Sequence, residues 1–197
     1  MAHAGFKVHV FGQKAEPSSS ALIFYREIKA GFPGLDLHNI LFSVEYRKEF
    51  QNIFESGTVN EDITVYINIS SKFEAADVPK NSENWFVMIN TPENCGQNWD
   101  EVRKKARELI IKKINSTLNY DIEPLIEFKD NIDPVRIEAY TGSSFSSLYG
   151  SSNNLVSAFL RQANFSGSVH PGGGIPLCIL GGNIASDIII NKYNARR

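Results

Sequence analysis

Apolar positions recur along this chain in two rhythms, and the rhythm sets the first expectations for its elements. Residues 6–11 (FKVHVF) alternate apolar with polar and predict a strand. After a turn at residues 12–16, Pro17 and the three serines after it offer N-caps for a helix over about residues 19–30. Its apolar residues Leu22, Ile23 and Ile28, with Phe24, Tyr25 and the following Phe32, form a broad surface, and residues 31–34 (GFPG) end it. A strand is expected at residues 38–42 and a short helix at 45–54, with Tyr46, Phe50, Ile53 and Phe54 on one side. Residues 63–69 (ITVYINI) and 84–90 (NWFVMIN) are the clearest strands, and the polar loop between them suits an antiparallel pair.

Residues 99–118 carry the clearest helical period. Trp99, Val102, Ala106, Leu109, Ile110, Ile114 and Leu118 recur at three- and four-residue steps, with Lys and Arg opposite. A strand interrupted by Pro124 is expected over residues 121–128, then a short helix to about Tyr140 with Asp133 as N-cap and Pro134 at its first position. Strands and helices mix without a regular βαβ alternation, which points to an α/β or α+β layer fold. From residue 141 to 154 Ser, Gly, Asn and aromatics dominate, reading as a flexible loop or as a loop facing a ligand. Residues 155–160 form a short apolar element.

Composition narrows the function classes. With 20 basic and 22 acidic residues among 197, the net charge is -2, and no basic face for nucleic acid is implied. Cys95 and Cys178 are far apart and form no CxxC, so neither a zinc site nor a disulfide framework is expected, and reduced thiols suit a cytoplasmic protein. Residues 1–5 lack the charged and apolar regions of a signal peptide, and no apolar run reaches the roughly 18 residues of a membrane span. Peripheral contact with a membrane stays open.

The most distinctive chemistry lies at residues 168–178 (SVHPGGGIPLC), running directly into the apolar helical segment 179–190. Three glycines bracketed by Pro171 and Pro176 make a tight turn that delivers a helix N-terminus. Free N–H groups and a partial positive charge there suit phosphate, carboxylate or the electron-rich edge of a cofactor ring. The same pattern also suits a turn that simply packs a helix closely.

Taken together, several segments resemble the bacterial phytoene desaturase family of FAD-dependent carotenoid desaturases, in its C-terminal part. They are residues 18–25 (SSSALIFY), 37–40 (LHNI), 68–72 (NISSK), 83–90 (ENWFVMIN), 96–100 (GQNWD), 148–153 (LYGSSN), 158–161 (AFLR), 164–166 (NFS) and 167–178 (GSVHPGGGIPLC). The resemblance implies that Ser168, Val169, His170, Pro171, Gly172, Gly173, Gly174, Ile175 and Pro176 contact the flavin ring, with Arg161 and Asn164 nearby. His170 then serves as structural support rather than as a base. Leu148, Tyr149 and Gly150 fall in a loop near the substrate channel, and Phe24, Tyr25, Trp85 and Phe86 stand as channel or core residues. No catalytic residue and no metal ligand is assigned. The implied reaction removes hydride and proton from adjacent carbons of a long polyene, with FAD as cofactor and a carotenoid or similar apolar substrate as partner.

The chain departs from the family pattern at its start. No GxGxxG is present, and Gly12 stands where the ribose-binding acid is expected, with Glu16 four residues later. The family's middle is missing after Pro17, and an apolar strand is missing between Ser166 and Gly167. Gly181 and Gly182 lie inside the final helix, allowing close approach or marking lost constraint. The expected organisation is a remnant of a FAD/NAD(P)-binding fold at residues 1–17, a mixed-sheet substrate-type α+β domain at 18–150, and a flavin-contacting segment with its helix at 151–197. Three readings follow: a truncated carotenoid desaturase, a non-catalytic fragment or descendant binding an apolar ligand or partner without FAD, and another flavin-dependent amine-oxidase-like enzyme. Without the phosphate fingerprint, the isolated chain is expected to carry no tightly bound flavin.

Overall fold

The computed structural model describes residues 17–148, together with 179–180, 182–183, 186–187 and 190–191. Among the described residues the strands are β1 (Ser20–Ile28), β2 (His38–Leu41), β3 (Val65–Asn68), β4 (Glu83–Thr91) and β5 (Ile126–Ile132). The helices are α1 (Tyr46–Gln51), α2 (Trp99–Leu118) and α3 (Pro134–Thr141). The strands form a five-stranded sheet in the order β2-β3-β4-β1-β5 with every neighbouring pair antiparallel. The helices follow β2, β4 and β5, but every ladder is antiparallel and none of the connections is a parallel βαβ crossover, so the architecture is α+β.

The expected helix over residues 19–30 is corrected: this stretch is β1, at the sheet's interior. Leu22, Phe24 and Ile28 point to one face and are at most 3% exposed, while Ile23, Tyr25 and Glu27 point to the other and are half-buried. Only the period-2 geometry of a strand separates the residues in this way. Both faces carry apolar side chains, so the alternation that marks a half-solvated strand is absent from the letters. The strand expected at residues 121–128 is also displaced. Pro124 lies in a 3₁₀ turn at Glu123–Leu125, and β5 begins at Ile126, where the ladder with β1 is free of proline's missing donor.

The other elements stand near their expected places. α2 spans Trp99–Leu118; the Asn98 side chain caps it by accepting from Glu101 N, and Asn119 closes it in the left-handed conformation. Ala106, Ile110 and Ile114 press against Leu22, Phe24, Val65, Ile67, Trp85, Val87 and Ile89, forming the core on one side of the sheet. α3 opens as expected, with Asp133 accepting from Arg136 N at 2.9 Å and Pro134 in the first turn, and it closes on Gly142 at φ 65°. α1 continues into a π-helical turn at Asn52–Ser56, ended by Gly57 at φ 63°. Buried Glu49 anchors α1 to the sheet, accepting from Thr64 N (2.8 Å), Thr64 Oγ1 (2.6 Å) and Ser43 Oγ (2.9 Å).

The strand expected at residues 6–11, the apolar element at 155–160 and the glycine turn at 168–176 lie outside the described residues. The described positions between 179 and 191 are helical and exposed, in keeping with the helix expected there.

Candidate substrate-binding face

The sheet face opposite α2 is built by the outward residues of all five strands, and the ladder register fixes which of them lie side by side. One row runs Ile40, Tyr66, Met88, Ile23, Ile132. The next runs His38, Asn68, Phe86, Tyr25, Asp130. A shorter row joins Asn84, Glu27 and Phe128. At a strand spacing of about 4.8 Å, the full rows cross about 19 Å of surface.

The centre of this face is aromatic. Tyr25 and Phe86 meet edge-on at 5.6 Å between ring centroids, and Tyr66 meets Phe86 at 6.3 Å. These rings are half-buried, whereas Ile40 and Phe128 at the two outer strands are more than half exposed. One face of an antiparallel sheet ordinarily turns polar side chains to water, so an apolar outer face marks a surface with another use.

Polar groups sit around that centre. On the β2 side, His38 stacks against Tyr66 at 6.1 Å, with Nδ1 2.8 Å from the Tyr66 hydroxyl and 3.2 Å from Asn68 Nδ2. Asn68 Nδ2 also donates to Leu37 O at 3.0 Å. On the β5 side, Asp130 accepts from Asn131 N at 2.8 Å and pairs with Arg136 at 3.3 Å. The Asn131 N–H and then Arg136 hold its carboxyl below the usual carboxylate range, so the Asp130 end of the face is anionic. Asn84 is engaged with Ser70 and Ser71. Among the described residues no group of His, Cys, Asp and Glu could hold a metal ion.

The four aromatic residues considered as channel or core divide cleanly. Tyr25 and Phe86 belong to the open face. Phe24 and Trp85 lie under α2 as core, with the Trp85 indole N–H donating to Glu83 at 2.8 Å. Arg26 also turns inward, packed 5.0 Å from the Phe24 ring and donating to the Tyr25 and Asp130 carbonyls; burial lowers its pKa to about 10. Sequence reasoning missed Ile23, Tyr66, Met88 and His38 as members of the same face. Their common signal is that strands with apolar residues in both registers, such as residues 21–28, need partners on both sides.

Of the other expected site residues, Leu148 is half-buried and donates its N–H to Ser19 O at 3.2 Å, which ties the 3₁₀ turn at Ser144–Ser146 to the start of β1. Tyr149, Gly150, Arg161, Asn164 and residues 168–176 lie outside the described residues. A second apolar surface is formed around α1, where Phe42, Tyr46, Phe50 and Phe54 follow one another at ring separations of 6.0, 4.9 and 6.2 Å. Phe42 is 62% exposed and Val44 beside it 93%. Among the described residues no helix is long and apolar enough to cross a membrane.

The fold is thus an α+β unit with one apolar sheet face turned away from α2. Along about nine tenths of its length the chain is similar to carotenoid desaturases and to carotenoid oxygenases. It is 53% identical over 189 residues to a 1-hydroxycarotenoid 3,4-desaturase from a Flavobacterium species, a match covering 90% of this chain and 39% of the relative. A phytoene desaturase from Fusarium fujikuroi is 24% identical over 90% of the chain and 37% of its own length. A 4,4'-diaponeurosporene oxygenase from Staphylococcus haemolyticus is 27% identical over 88% of the chain and 37% of its length. The chain thus spans less than two fifths of the length of these relatives. No protein-family profile matches it.

Proposed function

We propose that this chain is the substrate-facing part of a carotenoid desaturase, an FAD-dependent oxidoreductase that introduces a double bond into an acyclic polyene. The observation that carries the reading is the outward aromatic and aliphatic face of the sheet, present in a chain related to enzymes named for carotenoids. A polyene has no charge and no polar group along its length, so a wide wall of Tyr25, Phe86, Met88, Ile23 and Tyr66 suits it, with orientation set by a few polar atoms at the margin. The relative named for a 1-hydroxycarotenoid makes a polyene with a hydroxylated end the favoured substrate class.

The residues assigned to the flavin by resemblance are Ser168 to Pro176 with Arg161 and Asn164, and those near the substrate are Leu148, Tyr149 and Gly150. Bound FAD would accept the two electrons of the carbon–carbon oxidation. The chain's own residues exclude water from the polyene and fix its position. The exposed surface of Phe42, Val44, Tyr46 and Phe54 supports peripheral contact with the cytoplasmic face of a membrane, where a polyene is dissolved.

The test uses the purified full chain and an acyclic carotenoid in detergent micelles, followed by its visible absorption band. Saturable perturbation by the wild type, weakened about tenfold or more in the Tyr25→Ser, Phe86→Ser double variant, is the expected result. A spectrum unchanged by the wild type, or changed equally by the variant, removes the reading.

A further inference from the structure

The β2 margin of the open face holds a hydrogen-bonded group that the core does not use. Asn68 Nδ2 must face Leu37 O, which can only accept, so the same nitrogen also presents a hydrogen to His38 Nδ1. Nδ1 is therefore the accepting nitrogen, and in the neutral imidazole the proton resides on Nε2. The Tyr66 hydroxyl, 2.8 Å away, shares Nδ1 and holds the ring stacked upon its own. His38 is exposed, and its Nε2 makes no hydrogen bond to any described residue, so this N–H is an oriented donor beside the apolar rows.

We propose that His38, oriented by Tyr66 and Asn68, binds the terminal hydroxyl of a hydroxylated acyclic polyene and so sets which end of the substrate lies toward β2. The inference rests on the open face being the polyene wall. Nε2–H donates to the hydroxyl oxygen, and the adjoining row from Ile40 and Tyr66 to Met88 and Ile23 receives the hydrocarbon that follows. The opposite margin has a different character, because Asp130 there is an anion already paired with Arg136. A polyene with one hydroxylated end therefore meets two unlike margins, a neutral imidazole N–H at the first and a paired carboxylate at the second. His38 and its neighbours act here as positioning and specificity residues.

The experiment measures binding of two probes to the full chain in micelles: an acyclic carotene hydroxylated at C1, and the same polyene without the hydroxyl. The wild type is expected to bind the hydroxylated probe about tenfold more tightly, the worth of one well-placed hydrogen bond. His38→Leu is expected to abolish that preference, so that both probes bind with equal affinity. Tyr66→Phe keeps the ring packed on Phe86 and is expected to reduce the preference through loss of imidazole orientation. Far-UV circular dichroism and the retained affinity for the plain probe establish that each variant is folded. Equal binding of both probes by the wild type, or a preference that survives His38→Leu, overturns the proposal and leaves the polyene wall standing. Failure of both probes to bind the wild type overturns both.

Discussion

Glu49 is a carboxylate at 1% exposure with no cation paired to it among the described residues, and three donors reach it: one backbone N–H and two hydroxyls. Burial of a charge is tolerable only where hydrogen bonds replace water, and these three come from Ser43 and Thr64, on the segments that flank α1. Glu49→Ala strands the Thr64 N–H and both hydroxyls. Urea unfolding is expected to record a loss of about 2–4 kcal/mol, whereas Glu49→Gln, which still accepts, should lose less than half as much. Asp62 works at the surface of the same region, accepting from Val44 N at 2.6 Å and from Lys113 Nζ at 2.9 Å. The Lys113 hydrogen bond, aided by Val44 N–H, lowers its carboxyl from the ordinary value. A carboxyl lowered on folding stabilises the fold fully above its unfolded value near 3.9 and loses that contribution as pH falls through the lower folded one. Melting temperature is thus expected to decline below about pH 4, less steeply in Asp62→Asn, and an NMR titration of Lys113→Met should find the Asp62 carboxyl moved back up. The side chain is 41% exposed, so the effect is modest and weakened by salt.

At the scale of elements, α2 and α3 were legible because their ends and faces are written in separate letters. Asn98 and Asp133 mark the starts, Gly142 an end, and the step of three or four residues in α2 selects one buried stripe. Ile114 lies in that stripe at 1% exposure, packed over the sheet, and Ile114→Ala is expected to cost about 2–5 kcal/mol by the same unfolding measurement. β1 was illegible for the opposite reason. Its inward set, Leu22, Phe24 and Ile28, and its outward set, Ile23 and Tyr25, are both apolar, while Arg26 interrupts the inward side and Glu27 the outward. Such a run matches a helix surface as readily as a strand buried on two sides. The ambiguity is itself informative: the letters hid the strand because its second face is apolar as well. β5 was displaced by a more local competition, in which Pro124 set a 3₁₀ turn and moved the ladder to Ile126.

At the scale of the whole molecule, the two halves of the expected site were legible by different means. Residues 168–176 stand out in their composition as a turn delivering a helix N-terminus, whereas the proposed polyene wall emerges only after β2, β3, β4, β1 and β5 are set side by side, since its members come from strands separated by up to about a hundred positions in the chain. A glycine turn at a helix N-terminus offers the flavin ring a few N–H groups, but a dinucleotide's pyrophosphate is held chiefly by the GxGxxG turn and the helix after it, which this sequence does not contain. Apolar binding needs no such anchor, because area removed from water stabilises it wherever a complementary surface is present. The two affinities should therefore separate in one preparation. Titrating the purified chain with FAD is expected to leave flavin fluorescence unquenched at micromolar protein, while the carotenoid band responds saturably in the same buffer. A preparation that emerges yellow with one flavin per chain would show that the turn at residues 168–176 and its surroundings hold FAD without the missing fingerprint. A carotenoid band that does not respond would instead remove the sheet face as a binding surface.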